Sequence, residues 1–421
     1  MNPPMTQKTS TIHLSEKEFQ QQEYIQKLKE AFTELPYKGA DTFLNSPVLI
    51  DENYLENSQR LCQILNSILV MFAYNYFRDA NLQSVYQLDA ELNEILQMAE
   101  GIPYEIGMYR PDFIFDTEGQ PKICEIGCRY PMSGWVMSRY LHKVTSELTK
   151  SVDQNWSAVE GQEEFMDEFR ERFDDQDTLY LIRKDDRNHS VDYTMKELER
   201  AGIRAVDVQP EDFALVDGEL KVGDEIARQF YLEMDREDLK TFDKDVLKVI
   251  IQSGRCINDV RTIILMHDKR TLSILFNQNV MSAYVNSEDH EFLSKYLIPS
   301  YIIATEQDQQ TLIESEDNWV LKKSSGGKGI DMLIKNECDP EVWKHAVLKE
   351  WNTYMVQPYV EQKSFEINAN GKSQSAHIAG MDLYFNGRSF GPGIFRASSG
   401  SSININNGES YVLPCVVKKD A

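Results

Sequence analysis

The sequence predicts a mixed α+β and α/β chain with an N-terminal helical region, a Rossmann-like α/β layer and a strand-rich C-terminal lobe. Three observations predict it. The first hundred or so residues carry apolar positions at helical spacing. Between Leu179 and Val208 two strand patterns flank one helical pattern, which reads as a βαβ unit with parallel pairing. From about Pro299 short strands alternate with turns. At 421 residues the chain is long enough for two or three domains, with boundaries expected at 1–100, 101–150, 151–298 and 299–421.

Residues 1–12 are polar. Leu14-Ser15-Glu16-Lys17-Glu18 reads as a capping box opening a helix to about Leu35. Further helical patterns run over 53–78 and 82–99, and another from about Ser133 to Leu148. The acidic run 160–177 reads as a solvated helix and connector. Strands are expected at 179–183 and 203–208 around a helix at 191–201. Asp217-Gly218 marks a hairpin, 230–232 a strand, and 236–252 a helix ending at Gly254. No GxGxxG fingerprint occurs here, so no nicotinamide-binding role is assigned. Residues 260–266 read as extended. His267-Asp268-Lys269-Arg270-Thr271-Leu272 then opens an apolar helix, where a lysine can reach phosphates and His267 is better read as an ordinary histidine than as a base.

Composition narrows the class. A net charge of −24 sets the chain against nucleic-acid backbones and anionic membrane surfaces as partners. Six scattered cysteines form no disulfide framework and no CxxC pair. No basic leader precedes an apolar core, and no apolar run approaches a membrane span, so a cytoplasmic, reduced-thiol protein is expected.

The most informative stretch is 110–129, two apolar-rich arms around Glu118-Gly119. A turn symmetric about that pair sets Asp112 opposite Glu125. Like charges so placed repel unless a cation intervenes, and Mg²⁺ prefers carboxylate oxygens. Arg110 and Arg129 share the parity of their neighbouring acids, which suits a metal-bound polyphosphate. An ordinary hairpin with a neutralised acid pair satisfies the same residues, and a bulged three-residue loop would shift the register.

Three later segments carry further chemistry. Trp319-Val-Leu-Lys-Lys-Ser-Ser-Gly-Gly-Lys-Gly-Ile-Asp-Met-Leu-Ile334 is a strand, a Gly-rich loop and a strand. Lys322 closes the first strand, and Ser324, Ser325, Gly326, Gly327, Lys328 and Gly329 form a loop able to cradle an anion, or simply a hairpin turn. Gln357, Pro358 and Tyr359 end a strand whose backbone can meet an adenine edge. Asn386-Gly387 is a hairpin turn, and Gly391-Pro392-Gly393 re-aims Arg396, a guanidinium suited to a transferring phosphoryl group or to a surface ion pair.

Together these pieces resemble the ATP-grasp superfamily, in the circularly permuted order of glutathionylspermidine synthase. The resemblance lies in Arg110-Pro-Asp112 and Glu125-Ile-Gly127 preceding Asp268-Lys269, Val-Leu-Lys322 with its Gly-rich loop, Gln357-Pro358, and a Gly-rich turn into Arg396. The family pattern has asparagine where Gly127 stands, which leaves a third metal ligand unassigned. The resemblance implies a permuted ATP-grasp core with a Rossmann-like pre-ATP-grasp domain. It further implies an ADP-forming carboxylate–amine ligase working through an acyl phosphate. Mg²⁺ would sit on Asp112 and Glu125. ATP would be held by Lys269, Lys322, the 324–329 loop and Gln357 to Tyr359, with Arg110 and Arg396 stabilising the transferring group. The partners implied are a small carboxylate, an amine and, in some biosynthetic relatives, a carrier protein. A kinase-like ATPase and a catalytically weak nucleotide-binding protein are the alternatives. The sequence carries no code for the substrates or the oligomeric state.

Overall fold

Strand Met108–Phe115 alternates buried and partly buried side chains, the period of a strand that packs one face on a core. It pairs antiparallel with Pro121–Gly127 as the sequence hairpin requires. A computed structural model describes residues 10–32, 42–130, 132–184, 189–326, 332–369, 371–400, 403 and 410–419. The architecture is mixed α and β, with several sheets.

The hairpin forms the edge of a seven-stranded sheet, whose main path runs Ser410–Leu413, Phe395–Ser398, Lys372–Phe385, Met108–Phe115, Pro121–Gly127. Lys372–Phe385 is the splint of this sheet. It also pairs with Phe365–Ala369 and, around the Asn386-Gly387 turn, with Arg388–Pro392. Asn386 and Gly387 both have positive φ, as a tight two-residue hairpin demands. Helix Glu52–Asn75, capped by Asp51 through the Tyr54 N–H, turns Leu61, Leu65, Ile68, Leu69 and Phe72 into the core. Buried Asp382 joins this helix to the sheet, accepting hydrogen bonds from Ser58 Oγ (2.6 Å), Tyr54 Oη (3.0 Å) and Tyr384 Oη (3.2 Å).

The second unit that bears on the site is a parallel sheet ordered Cys256–Ile257, Gln229–Leu232, Leu179–Ile182, Ala205–Val208. Its two central strands are buried along their whole length, which explains their near-continuous apolar sequence. The chain runs outward from Leu179–Ile182 to Ala205–Val208, then crosses back to Gln229–Leu232 on the other side. The strand order therefore reverses between the two central strands, the place where such sheets open a crevice at their carboxyl ends.

The described strands of 299–421 divide among three sheets. Cys415–Lys418 lies between Val48–Ile50 and Trp156–Ala158 in a four-stranded sheet. Strands from Phe365 to Leu413 complete the hairpin sheet. Those before form a separate antiparallel sheet ordered Tyr301–Ile302, Tyr354–Pro358, Trp319–Lys323, Met332–Ile334. Helices Glu306–Glu314 and Pro340–Lys349 cover it through Leu312, Trp343 and Val347.

Several local expectations are corrected. The helix expected from Ser15 starts later, at Gln21–Ala31, because His13–Leu14 pairs with Val48–Ile50 and the Phe19 N–H donates to Asn45. Ser15 Oγ instead accepts from the Lys17 N–H. The end of that expected helix, 33–35, lies outside the described residues. The 82–99 pattern is two helices, Ala80–Tyr86 and Ala90–Met98, broken by Gln87 at φ +42° and restarted by the Asp89 cap. Likewise 236–252 splits into Arg236–Leu239 and Lys244–Gln252, with Asp243 capping the second. The run read as extended before His267 contains a π-helical turn, Thr262–Met266, buried throughout. A short apolar run buried on every side has no periodicity to separate strand from helix. Among the described residues, no helix is long and apolar enough to cross a membrane.

Burial raises the Asp382 carboxyl to about 6, against the pull of its three hydroxyl donors. Removing one donor leaves the ionised form less satisfied. Ser58→Ala should cost about 1–3 kcal/mol in urea unfolding, with the larger loss at pH 8 and a smaller one at pH 5, where Asp382 is protonated.

Candidate functional site

Asp112 and Glu125 are Cα partners across the hairpin, and Arg110 faces Gly127. The register arises differently from the symmetric turn expected. Phe115 pairs with Pro121, so the loop holds an odd number of residues, and this alone would displace the acids by one. A β-bulge between Asp112 and Phe113, with Cys124 as the extra residue, restores the pairing. Cys124 Sγ donates to the Asp112 carbonyl at 3.3 Å, and burial pushes its thiol up to about 11.

Cations converge on the acid pair from three other parts of the chain. Arg396 reaches Asp112 Oδ2 at 3.5 Å. It does so across the splint strand, because Met381 faces Asp112 and Ala379 faces Arg396, putting all four on one side of the sheet. Lys269 Nζ lies 3.7 Å from Glu125 Oε1 and donates to the Gly326 carbonyl at 2.7 Å. Lys322 Nζ donates to the Cys124 carbonyl at 3.1 Å. The early acid hairpin and the late lysine strand therefore meet, although one belongs to the large sheet and the other to the small one.

The lysine turn is anchored from beneath. Asp268 has a fully buried side chain and takes Arg236 Nη1 and Arg270 Nη2, each at 2.6 Å. Arg236 Nη2 donates to Ser324 Oγ at 3.1 Å, while the Lys269 N–H donates to the Ser324 carbonyl at 3.0 Å. This clamp fixes Lys269 beside the start of the Gly-rich segment. Ser325 and Gly326 follow on that segment, Gly326 at φ +91°. Gly327, Lys328 and Gly329 lie outside the described residues.

The electrostatics divide the acid pair. Burial penalises the Glu125 carboxylate, but Lys269, His267, Lys322 and Arg110 together hold its pKa below the ordinary value. Burial of Asp112 wins over Arg110 and Arg396, with Glu125 adding repulsion, so its pKa is raised. Burial and the neighbouring Lys269 lower the Lys322 pKa. The two acid side chains remain 21% and 23% exposed, and Asp112 Oδ1 has no hydrogen-bond partner. A ligand can therefore reach them.

Arg110 explains the missing side chain at 127. A Cβ on Gly127 would stand 2.7 Å from Arg110 Nη2, so the guanidinium occupies the space that a ligating side chain would fill. Arg110 Nη1 donates to the Ser133 carbonyl, and its Nε is buried without a partner. Arg129 departs from the expected arrangement. It follows the strand end and pairs with Asp235 at 2.6 Å, away from the acid pair. His267 is buried and accepts the Cys128 N–H at Nδ1, which leaves the proton on Nε2. Burial and Lys269 depress its pKa to about 4, so it is neutral at pH 7.

The strand assigned to an adenine edge is only partly open. Trp319–Lys323 pairs with all of Tyr354–Pro358 on one side, and Tyr301–Ile302 covers Met355 and Val356 on the other. The buried Gln357 side chain bonds Ser300 Oγ at 2.8 Å, and the Tyr359 N–H is already spent on the Asn318 carbonyl. Pro358 closes the strand.

Two further residues join the site without having been singled out from sequence. They are Arg236 in the clamp and Glu233 at the carboxyl end of strand Gln229–Leu232. The available signal for Glu233 was a charged residue ending an apolar parallel strand. Among the described residues no group of three or more His, Cys, Asp or Glu side chains is placed to hold a metal.

Because the atom nearest a Cβ at 127 is the far end of a flexible side chain, Gly127→Ala should displace the Arg110 guanidinium without unfolding the chain. Thermal unfolding should stay within about 2 °C of wild type.

Residues 61–265 match the family model described as the AnkG N-terminal domain. The matched stretch contains Arg110, Asp112, Glu125 and Glu233 and ends before Lys269, Lys322 and Arg396. No curated protein matches the chain.

Proposed function

We propose that this chain is an ATP- and Mg²⁺-dependent ligase that joins a small carboxylate, most naturally an amino acid, to an amine, releasing ADP and phosphate. The reading rests on the convergence of Asp112 and Glu125 with Lys269, Lys322, Arg110 and Arg396 around one partly open acid pair. The order of these pieces along the chain is that of a circularly permuted ATP-grasp enzyme.

The donor set suits Mg²⁺. Two facing carboxylates, one with a buried oxygen lacking a partner, are hard oxygen ligands. Mg²⁺ commonly keeps several waters and takes one or two carboxylates plus substrate phosphates, so a third side chain at 127 is not required. MgATP bound there would supply the phosphoryl group that activates the substrate carboxylate as an acyl phosphate.

The chain's own residues do the rest. Lys269 and Lys322 place two positive charges beside the acids, where a polyphosphate would otherwise be repelled. Arg396 and Arg110 flank Asp112 with buried Nε–H groups that have no partner, donors free for oxygens that gain charge during transfer. The clamp through Arg236, Asp268 and Ser324 orients Lys269. Partial burial limits water, which matters because an acyl phosphate hydrolyses readily.

Asp112→Asn and Glu125→Gln should each reduce Mg²⁺-dependent turnover by on the order of a hundredfold or more, with the fold retained by circular dichroism. EDTA should abolish turnover and excess Mg²⁺ restore it. Lys322→Ala should weaken ATP binding by roughly ten- to a hundredfold, the scale of one charged hydrogen bond, read by calorimetry. ADP release that requires both a carboxylate and an amine supports the ligase. Release with one substrate alone identifies a kinase, and ATP binding without turnover identifies a nucleotide-binding protein.

A further inference from the structure

Several buried polar atoms on the hairpin, the lysine turn and the end of the parallel sheet have no hydrogen-bond partner. Among the described residues, Asp112 Oδ1 and the Nε atoms of Arg110 and Arg396 lie at the acid pair. His267 Nε2, Arg236 Nε, Asn258 Oδ1, Arg183 Nη1, Tyr231 Oη and both carboxylate oxygens of Glu233 also lack hydrogen-bond partners. Buried polar groups are normally paired, so a buried carboxylate with neither oxygen paired is an unusual feature that a ligand would satisfy. Arg110 links the acid pair to Glu233, since its charge bears on Asp112 and Glu125 and also on Glu233.

Glu233 is 1% exposed and follows directly on strand Gln229–Leu232, at the carboxyl edge of the parallel sheet. Its backbone N–H donates to Ile182 of the neighbouring central strand, so the residue stands at the point where strand order reverses. Its charged and titratable neighbours come from four parts of the chain. They are Arg110 from the hairpin, Arg129 from the segment after it, Arg183 from the end of the adjacent strand, and Tyr231 from its own strand. Arg129 is engaged by Asp235, and Arg183 by Asp207 and Asp192. The Tyr231 hydroxyl lies close enough to Glu233 to pull its carboxyl pKa down.

We propose that Glu233 receives the nucleophile, a primary or secondary amine that arrives as an ammonium ion, and accepts its proton; this rests on the ligase reading above. The ammonium passes one proton to a Glu233 oxygen, which frees the nitrogen lone pair. The carbon–nitrogen bond then forms as the carbon–oxygen bond to phosphate breaks. Phosphate leaves with that electron pair and with the second proton lost from nitrogen. A carboxylate sealed from bulk water suits this task, because the amine must displace phosphate where water is excluded. Burial raises the Glu233 carboxyl to about 8, with Tyr231, Arg110, Arg183 and Arg129 pulling the other way. Arrival of the ammonium therefore expels the carboxyl proton to solvent.

Hydroxylamine separates the two half-reactions, because it is largely uncharged at neutral pH and traps acyl phosphates without a protein base. With the twenty amino acids as carboxylates, Glu233→Gln should still form hydroxamate. With the amino acids and short diamines as nucleophiles, its amide formation should fall a hundredfold or more. Equal loss of both reactions, or loss of neither, overturns the Glu233 assignment alone. A wild-type protein that forms no hydroxamate with any carboxylate overturns the ligase reading and this assignment with it. Stability gives a second readout. An acid whose folded pKa is raised contributes stability that is lost as pH rises from its unfolded value through about 8. Wild-type melting temperature should therefore drop between pH 5.5 and 8.5 by several degrees more than that of Glu233→Gln. Parallel curves would overturn the role of Glu233 as a proton acceptor.

Discussion

Two carboxylates held face to face across a hairpin are the constraint on which the site depends. Repulsion between Asp112 and Glu125 is fixed by strand register, so neither can rotate far from the other without breaking the ladder. The molecule answers with cations brought from distant sequence: Arg396 on Asp112, Lys269 on Glu125, Lys322 over the bulged Cys124, and Arg110 in the gap beside Gly127. Each arriving cation in turn needs support, and the Arg236–Asp268–Arg270 cluster supplies it for the lysine turn. The long-range architecture around the hairpin is thus organised by local charge.

That charge is not neutralised evenly. Glu125 is held ionised by several positive neighbours, whereas Asp112 keeps a raised pKa and an oxygen without a partner. A structure that only needed to satisfy its acids would have paired both. The residual imbalance, together with donors left open on Arg110 and Arg396, is the physical content of calling this place a site.

The parts legible in sequence were those governed by local rules. The alternation along Met108–Phe115 and the Asn386-Gly387 and Asp217-Gly218 turns follow from period-two patterning and turn chemistry. So does the parallel pairing of Leu179–Ile182 with Ala205–Val208, expected from strand–helix–strand spacing. The Asp112–Glu125 pairing was reached by an incomplete route. An odd loop and a bulge compensate each other, and no residue of the hairpin announces the bulge. What failed were cases where tertiary contacts override local preference. Ser15 looks like a cap, but strand pairing at His13–Leu14 holds the chain extended. Residues 262–266 look extended but coil within the core. Glu233 carries no motif at all. Its standing comes from the order of strands in a sheet, which one-dimensional reading cannot supply.

The splint strand Lys372–Phe385 has a mechanical consequence. Asp112 and Arg396 ride on strands laced to either side of it, so their separation is set by a stiff hydrogen-bonded lattice. Lys322 belongs to a different sheet and touches the hairpin through a side chain, and Lys269 reaches it from the turn before a short helix. One half of the charge cluster therefore behaves as a fixed anvil. The other half is delivered by lysine side chains from outside that lattice, so its distance from the acids is set by side-chain conformation and by the buried Arg236–Asp268 support, not by a strand ladder.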